Sequence, residues 1–239
     1  MNKTQKIILF SILGVFVAGI TTAIIIRVRR KGKLSITKIK NKNPEKILIV
    51  GDGQSAIETS SGGKITYTYP NLLREQLKDK GVTIDVLAVG GKTTDWMKKN
   101  ISSKLDKKKY DRVIIYGGGN DTSNASIKLE TTLNNIQQMV DMSRENGADA
   151  FVNLGYKVQG DFGNYKIMPT TPYIDKKEKW IPYVEKRKQL QKLIPQKIKN
   201  ATFIPSYDLE SKTTDVIHPT SSGHKIVAEK VYDTIVKKY

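Results

Sequence analysis

The pattern in this chain best suited to chemistry is an aspartate three residues before a histidine, Asp215-Val-Ile-His218, followed by Pro219. A carboxylate at that spacing can fix the tautomer of the imidazole and steady the cation formed when it takes up a proton, which makes the pair a candidate general base. Two other strings place polar groups at sharp turns after apolar runs: Gly51-Asp52-Gly53 and Gly119-Asn120-Asp121. Backbone N–H groups of glycines and the amide of an asparagine are donors of the kind acyl transfer needs for its oxyanion, each worth about 2.7–4 kcal/mol when removed. A nucleophile is less evident. Gly53 has no side chain, the chain has no cysteine, and the nearest hydroxyl to the first turn is Ser55.

Each residue also has a plain structural reading. Gly-Asn-Asp strings are ordinary turn chemistry. Asp215 can be a turn residue, His218 before Pro219 can mark entry into a helix, and Ser55 can cap one. His224, the second of two histidines, falls within the last helical pattern and reads as structural. With two histidines and no cysteine a zinc site has little to work with, so neither metal nor cofactor is expected.

The elements that must position these groups are legible as alternating patterns. Short apolar runs at 46–50, 82–89, 112–116, 148–154 and 201–205 read as five buried strands. Helical patterns lie between and after them at 69–80, 94–105, 126–146, 178–199 and 221–238. Strand alternating with helix predicts an α/β fold, a three-layer sandwich whose central parallel sheet carries helices on both faces. In such sheets ligands bind beyond the carboxyl ends of the strands, and 51–53, 90–91 and 117–121 all fall just after strands. The stretch 155–179 has no clear period. Its aromatics Tyr156, Phe162, Tyr165 and Tyr173, with Trp180 beyond, read as packing groups more readily than as ligand contacts.

Taken in order, Gly51-Asp-Gly-Gln-Ser-Ala56, Ala88-Val-Gly-Gly-Lys-Thr-Thr94, Gly118-Gly-Asn-Asp121 and Asp215-Val-Ile-His-Pro-Thr-Ser-Ser-Gly-His224 resemble the four blocks of the SGNH, or GDSL, hydrolase family, from Lys46 to the C-terminus. The resemblance implies a flavodoxin-like sheet and an esterase site. It implies catalytic roles for His218 and Asp215 and an oxyanion hole drawn from Gly53, Gly91 and Asn120. The family's serine falls on Gly53, leaving two routes to chemistry: Ser55 as a displaced nucleophile, or water activated by His218. It further implies an ester substrate, a glycan O-acetyl group or a lipid acyl chain. The alternative is a binding or structural module on the same fold that holds a carbohydrate or acyl ligand without turnover.

The first 45 residues are of another kind. Residues 7–26 are twenty consecutive uncharged, mostly apolar positions, about 30 Å as a helix. They predict a transmembrane anchor within residues 1–33, a linker over 34–45 and the hydrolase-like domain over 46–239. A cleaved signal peptide is the rival, disfavoured by the length of the apolar run and by Arg27, Arg29, Arg30 and Lys31 after it. The formal charge of +18 suggests nucleic acid until it is divided: residues 1–43 hold ten Lys/Arg and no acid, and the rest has 31 basic against 23 acidic residues. The excess is therefore juxtamembrane, and the expected partners are a membrane and a small ester or glycan, with no nucleic acid. By the positive-inside rule the heavier basic flank after residue 26 favours a cytoplasmic body.

Overall fold

The computed structural model describes residues 24–27, 35–38, 45–58, 62–157, 177–209 and 218–236. Residues 44–239 cluster as one compact unit, separate from residues 1–43.

In the first unit, β1 (Ile24–Arg27) pairs antiparallel with β2 (Ser35–Lys38). This corrects the sequence reading twice. Positions 24–26, expected to end a membrane helix, are extended, and 35–38, expected to be linker, are their partner strand. The β-branched residues Ile24, Ile25, Ile26, Ile36 and Thr37 favour extended backbone. Among the described residues no helix is long and apolar enough to cross a membrane. Residues 1–23, which carry most of the expected anchor, lie outside the described ones.

The second unit holds the five expected strands, β3 (Lys46–Gly51), β4 (Thr83–Ala88), β5 (Arg112–Tyr116), β6 (Asp149–Asn153) and β7 (Thr202–Ile204). They form one parallel sheet in the order β4-β3-β5-β6-β7, so the order reverses between β3 and its neighbours. Around it lie α1 (Tyr69–Leu77), α2 (Thr94–Leu105), α3 (Gly119–Ser123), α4 (Leu129–Glu145), α5 (Lys177–Lys197) and α6 (Ser221–Val236).

Because successive strand residues face opposite sides, β3 feeds both halves of the core. Ile47 and Ile49 pack with Ile114, Phe151 and Ile204 against α1 (Tyr69, Leu73, Leu77) and α6 (Val227, Val231, Ile235). Leu48 and Val50 pack with Val113, Ile115 and Val152 against α2 (Met97, Ile101), α4 (Ile136, Met139, Val140) and α5 (Leu190, Ile194). Each such buried aliphatic side chain stabilises the fold by roughly 1.5–3 kcal/mol.

Two helical expectations need adjustment. The pattern over 69–80 is α-helical only to Leu77; a 3-10 turn, Lys78–Lys80, follows and Gly81 closes it at φ 69°. The pattern begun at Ser126 starts as a helix only at Leu129, because the Asn124 side chain accepts the Ser126 N–H at 3.0 Å and holds a turn there. The short helix α3, which begins within the Gly118–Asp121 string, was not anticipated.

Register decides where the site lies. Gly51 at the end of β3 sits opposite Ala88 of β4 and Tyr116 of β5, so the turns that follow these three strands leave the sheet side by side.

Candidate active site

The turn after β3 carries the first block. The Ser55 N–H donates to the Asp52 carbonyl at 3.0 Å, and the Gln54 N–H donates to the Asp52 carboxylate at 3.0 Å. Asp52 thus closes the turn with both its backbone and its side chain. Gly53, at the tip, has ordinary backbone angles outside the left-handed region. A Cβ built on it would meet only the Gly90 Cα, at 3.3 Å, so the tip of the first turn lies against the turn after β4.

That second turn runs from Val89 to Lys92, with Gly91 at φ 74°, a conformation that suits glycine. Gly91 is exposed.

The third turn, after β5, passes through Gly118 at φ 100° into α3. Asn120 Nδ2 donates to the Lys92 carbonyl at 3.0 Å and, at 3.5 Å, to the Asp52 carboxylate. One amide therefore ties the third turn to the other two. Asp121 faces inward: its carboxylate accepts the Thr94 N–H at 2.9 Å, the Thr94 hydroxyl and the Thr132 hydroxyl at 3.3 Å. It pins the starts of α2 and α4, a positioning role.

His218 stands exposed just before α6, whose first turn is held by the Thr220 hydroxyl accepting the Gly223 N–H at 3.2 Å. Its charge is felt by Asp52, whose carboxyl it pulls down, and by His224. Asp215 lies outside the described residues.

Ser55 goes elsewhere. It is wholly buried, and its hydroxyl is 2.8 Å from the Tyr69 phenol oxygen. A Cβ on Gly51 would sit 2.4 Å from the Ser55 Oγ, so the hydroxyl is folded back beneath β3, and glycine at 51 makes room for it. Both sequence readings of Ser55 are therefore corrected. A hydroxyl with no solvent access and a phenol as partner is not placed to attack a substrate. Residues 52–55 are a turn, and among the described residues the next helix starts at Tyr69, so Ser55 caps none.

His224 is largely buried and takes part in structure. Its Nδ1 accepts the Tyr69 N–H at 3.4 Å, which satisfies a donor at the start of α1, where Thr68 provides no side-chain cap. Burial and then the nearby charge of His218 push its pKa down to about 4.

Beneath the three turns lies a polar floor. Burial pushes the Asp52 carboxyl up, against the pull of the Gln54 N–H, Arg187 and His218. Gln54 accepts from the Tyr116 hydroxyl at 3.1 Å and donates to the Tyr156 oxygen at 3.2 Å. Arg187 of α5, 5% exposed, lies 4.7 Å from the centre of the Tyr156 ring and donates to the Tyr183 hydroxyl at 2.8 Å. Of the aromatics in the aperiodic stretch, only Tyr156 has a described side chain, and it is buried here.

Sequence reasoning passed over Arg187, although a signal was present. Tyr183, Arg187, Leu190, Ile194 and Ile198 fall on one helical stripe, and every other member is buried and apolar or aromatic. Among the described residues no cluster of carboxylates and histidines could hold a metal ion.

A parallel α/β sheet whose first, second and third turns meet at its carboxyl edge, with a histidine arriving from before the last helix, is the frame of an SGNH-type hydrolase. The chain belongs to the GDSL-like lipase/acylhydrolase family, whose model matches residues 50–226. Solved structures share the fold. TesA is 21% identical, with 80% of this chain and 98% of that one covered at a TM-score of 0.58. Axe2, an acetylxylan esterase from Geobacillus stearothermophilus, is 16% identical, with 80% and 94% covered at 0.60. The psychrotrophic esterase EstA from Pseudoalteromonas sp. is 17% identical, with 81% and 97% covered at 0.55. No curated protein sequence matches the chain.

Proposed function

We propose that residues 46–239 form an esterase-type domain that cleaves a small ester with water as the attacking group. The observation that carries this reading is the open tip at Gly53, bordered by Gly90, in a turn that the Asn120 amide ties to the turn after β4. His218, oriented by Asp215, takes a proton from water as its oxygen bonds the acyl carbon, and returns that proton to the alcohol oxygen as the ester bond breaks. Gly91 N–H, the Gly53 backbone and the Asn120 amide receive the oxyanion, the amide releasing its longer bond to Asp52. A site that keeps donors and base but lacks a side-chain nucleophile retains roughly 10³–10⁴-fold acceleration over water, so slow turnover is expected. The substrate class is an O-acyl ester, on a glycan or a lipid; the glycan is favoured by the likeness of fold to an acetylxylan esterase.

The N-terminal segment anchors this domain to a membrane, with the body on the cytoplasmic side by the charge rule. Residues 7–23 remain apolar and uncharged ahead of β1, and seventeen residues is the short end of the roughly 17–25 that span a bilayer.

A second reading, a module that binds an ester-bearing ligand without cleaving it, is favoured by the burial of Ser55 and the missing side chain at 53. One comparison separates the two. Hydrolysis of a nitrophenyl acetate by the natural sequence should be slow, above background and lost in His218→Ala; rates equal to background in both proteins would leave only binding.

A further inference from the structure

We infer that Arg187 is a positioning residue of the site, acting across a water-sized cavity to hold the Asp52 carboxylate as the acceptor that fixes Gln54 and Asn120. The inference deepens the hydrolase reading and rests on it for its purpose, though not for its test.

The cavity lies between α5 and the backbones that follow β3, β5 and β6 and measures about 20 Å³. Asp52, Gly119, Asn153 and Arg187 are among its walls. A space of this size holds one water when two to four polar groups face it. Those groups are present. Asn153 is 2% exposed; its Oδ1 accepts the Gly155 N–H at 2.8 Å, and its Nδ2 is directed at the Tyr207 oxygen without full hydrogen-bond geometry. Among the described residues the Arg187 guanidinium makes one hydrogen bond, to Tyr183, which leaves several of its N–H groups for other partners.

The placement of the guanidinium is specific. A Cβ on Gly119 would sit 3.3 Å from Arg187 Nη1 and 3.4 Å from Asp52 Oδ2, so the two charged groups approach the same glycine. A Cβ on Gly155 would sit 3.5 Å from Nη2. The guanidinium thus lies under the backbones that follow β5 and β6. No carboxylate stands within ion-pair distance of it among the described residues. A buried charge without an opposite one is strongly unfavourable, so a carboxylate across one water matters more here than on a surface.

The groups that bear on Asp52 come from several elements. Arg187 of α5 and His218 before α6 favour its ionised form, and Asp121 of α3 opposes it. Tyr69, Tyr116 and Tyr156 surround it as neutral phenols raised by burial. Of the two, His218 is exposed, whereas Arg187 is buried and permanently charged. Arg187 is therefore the constant influence. Once protonated, Asp52 could no longer accept from both Gln54 N–H and Asn120 Nδ2, and the tip at Gly53 and the Asn120 amide would lose their shared anchor.

The test is a titration of the full-length chain labelled with ¹³C at aspartate carboxyls, the Asp52 signal being assigned by its loss in Asp52→Asn. Arg187→Met should raise the titration of Asp52 by about one pH unit or more, and Arg187→Lys, which keeps the charge, should leave it near the native value. The Asn120 side-chain amide signal should move at the same pH as Asp52. An unchanged Asp52 titration in folded Arg187→Met, or a Lys variant that behaves like Met, overturns the inference. Should Arg187→Met not fold, a high-resolution crystal structure of the natural chain decides: a water bonded to both Arg187 and Asp52 upholds it, and a dry cavity refutes it. Neither measurement involves ester hydrolysis, so a failure of the hydrolase reading would be seen separately.

Discussion

The hydroxyl of Ser55 and the phenol of Tyr69 are 2.8 Å apart with both side chains wholly buried. This pair joins the turn after β3 to the start of α1. Burial drives the Tyr69 pKa well above the ordinary tyrosine value, so the phenol stays neutral and needs a neutral partner. Ser55→Ala should leave a buried phenol unsatisfied and cost about 1–3 kcal/mol in chemical denaturation. Esterase activity and labelling by serine-directed probes should not change with it. Loss of labelling at unchanged stability would return Ser55 to the role of nucleophile.

Gly53→Ser should convert the edge into a site with a side-chain nucleophile. The new Cβ meets only the Gly90 Cα, at 3.3 Å, a contact that a shift of a few tenths of an ångström in a glycine turn relieves. The backbone angles at 53 suit an L-residue. Hydrolysis of nitrophenyl acetate should rise by at least about tenfold, and a phosphonate probe should attach at residue 53. A folded variant that stays inert and unlabelled would mean that His218 and the donors do not converge on this point.

His224 sets an acid limit on stability. Its pKa lies at about 4 in the folded chain, because burial and then His218 oppose its charge, against about 6.5 unfolded. A depressed folded value means that the stabilisation is complete above pH 6.5 and is lost as pH falls toward 4. The gap corresponds to about 3 kcal/mol. In His224→Gln, whose amide oxygen can still accept the Tyr69 N–H, the slope of stability between these pH values should be shallower by about one proton. Parallel slopes for the two proteins would show that His224 protonates alike in folded and unfolded chains.

Membrane attachment should depend on residues 1–23 and not on the domain. After alkaline carbonate extraction the full chain should stay in the pellet, and a chain beginning at residue 44 should be soluble and melt cooperatively, since residues 44–239 form a compact unit of their own. Full-length protein in the carbonate supernatant would exclude the anchor. A mature N-terminus near residue 27 would identify a signal peptide instead.

Much of this architecture is local and was therefore legible in the sequence. The alternation of Ile47, Leu48, Ile49 and Val50 between two helical layers follows from the two-residue period of a strand, and α2 runs from Thr94 to Leu105 as its apolar spacing predicts. The order of strands and glycine turns was enough to place residues 51–53, 90–91 and 117–121 on one edge, because parallel strands all end on the same side. The direction of a side chain within a turn is not local. Ser55 reads from sequence as a hydroxyl beside the site, and only its bond to Tyr69 shows it facing inward. His224 meets the N–H of Tyr69, 155 residues away, and Arg187 meets the surroundings of Asp52 from a helix rich in lysine. Burial of a polar group depends on a partner that the fold alone brings up, so the roles of Ser55, His224 and Arg187 were decided by tertiary structure.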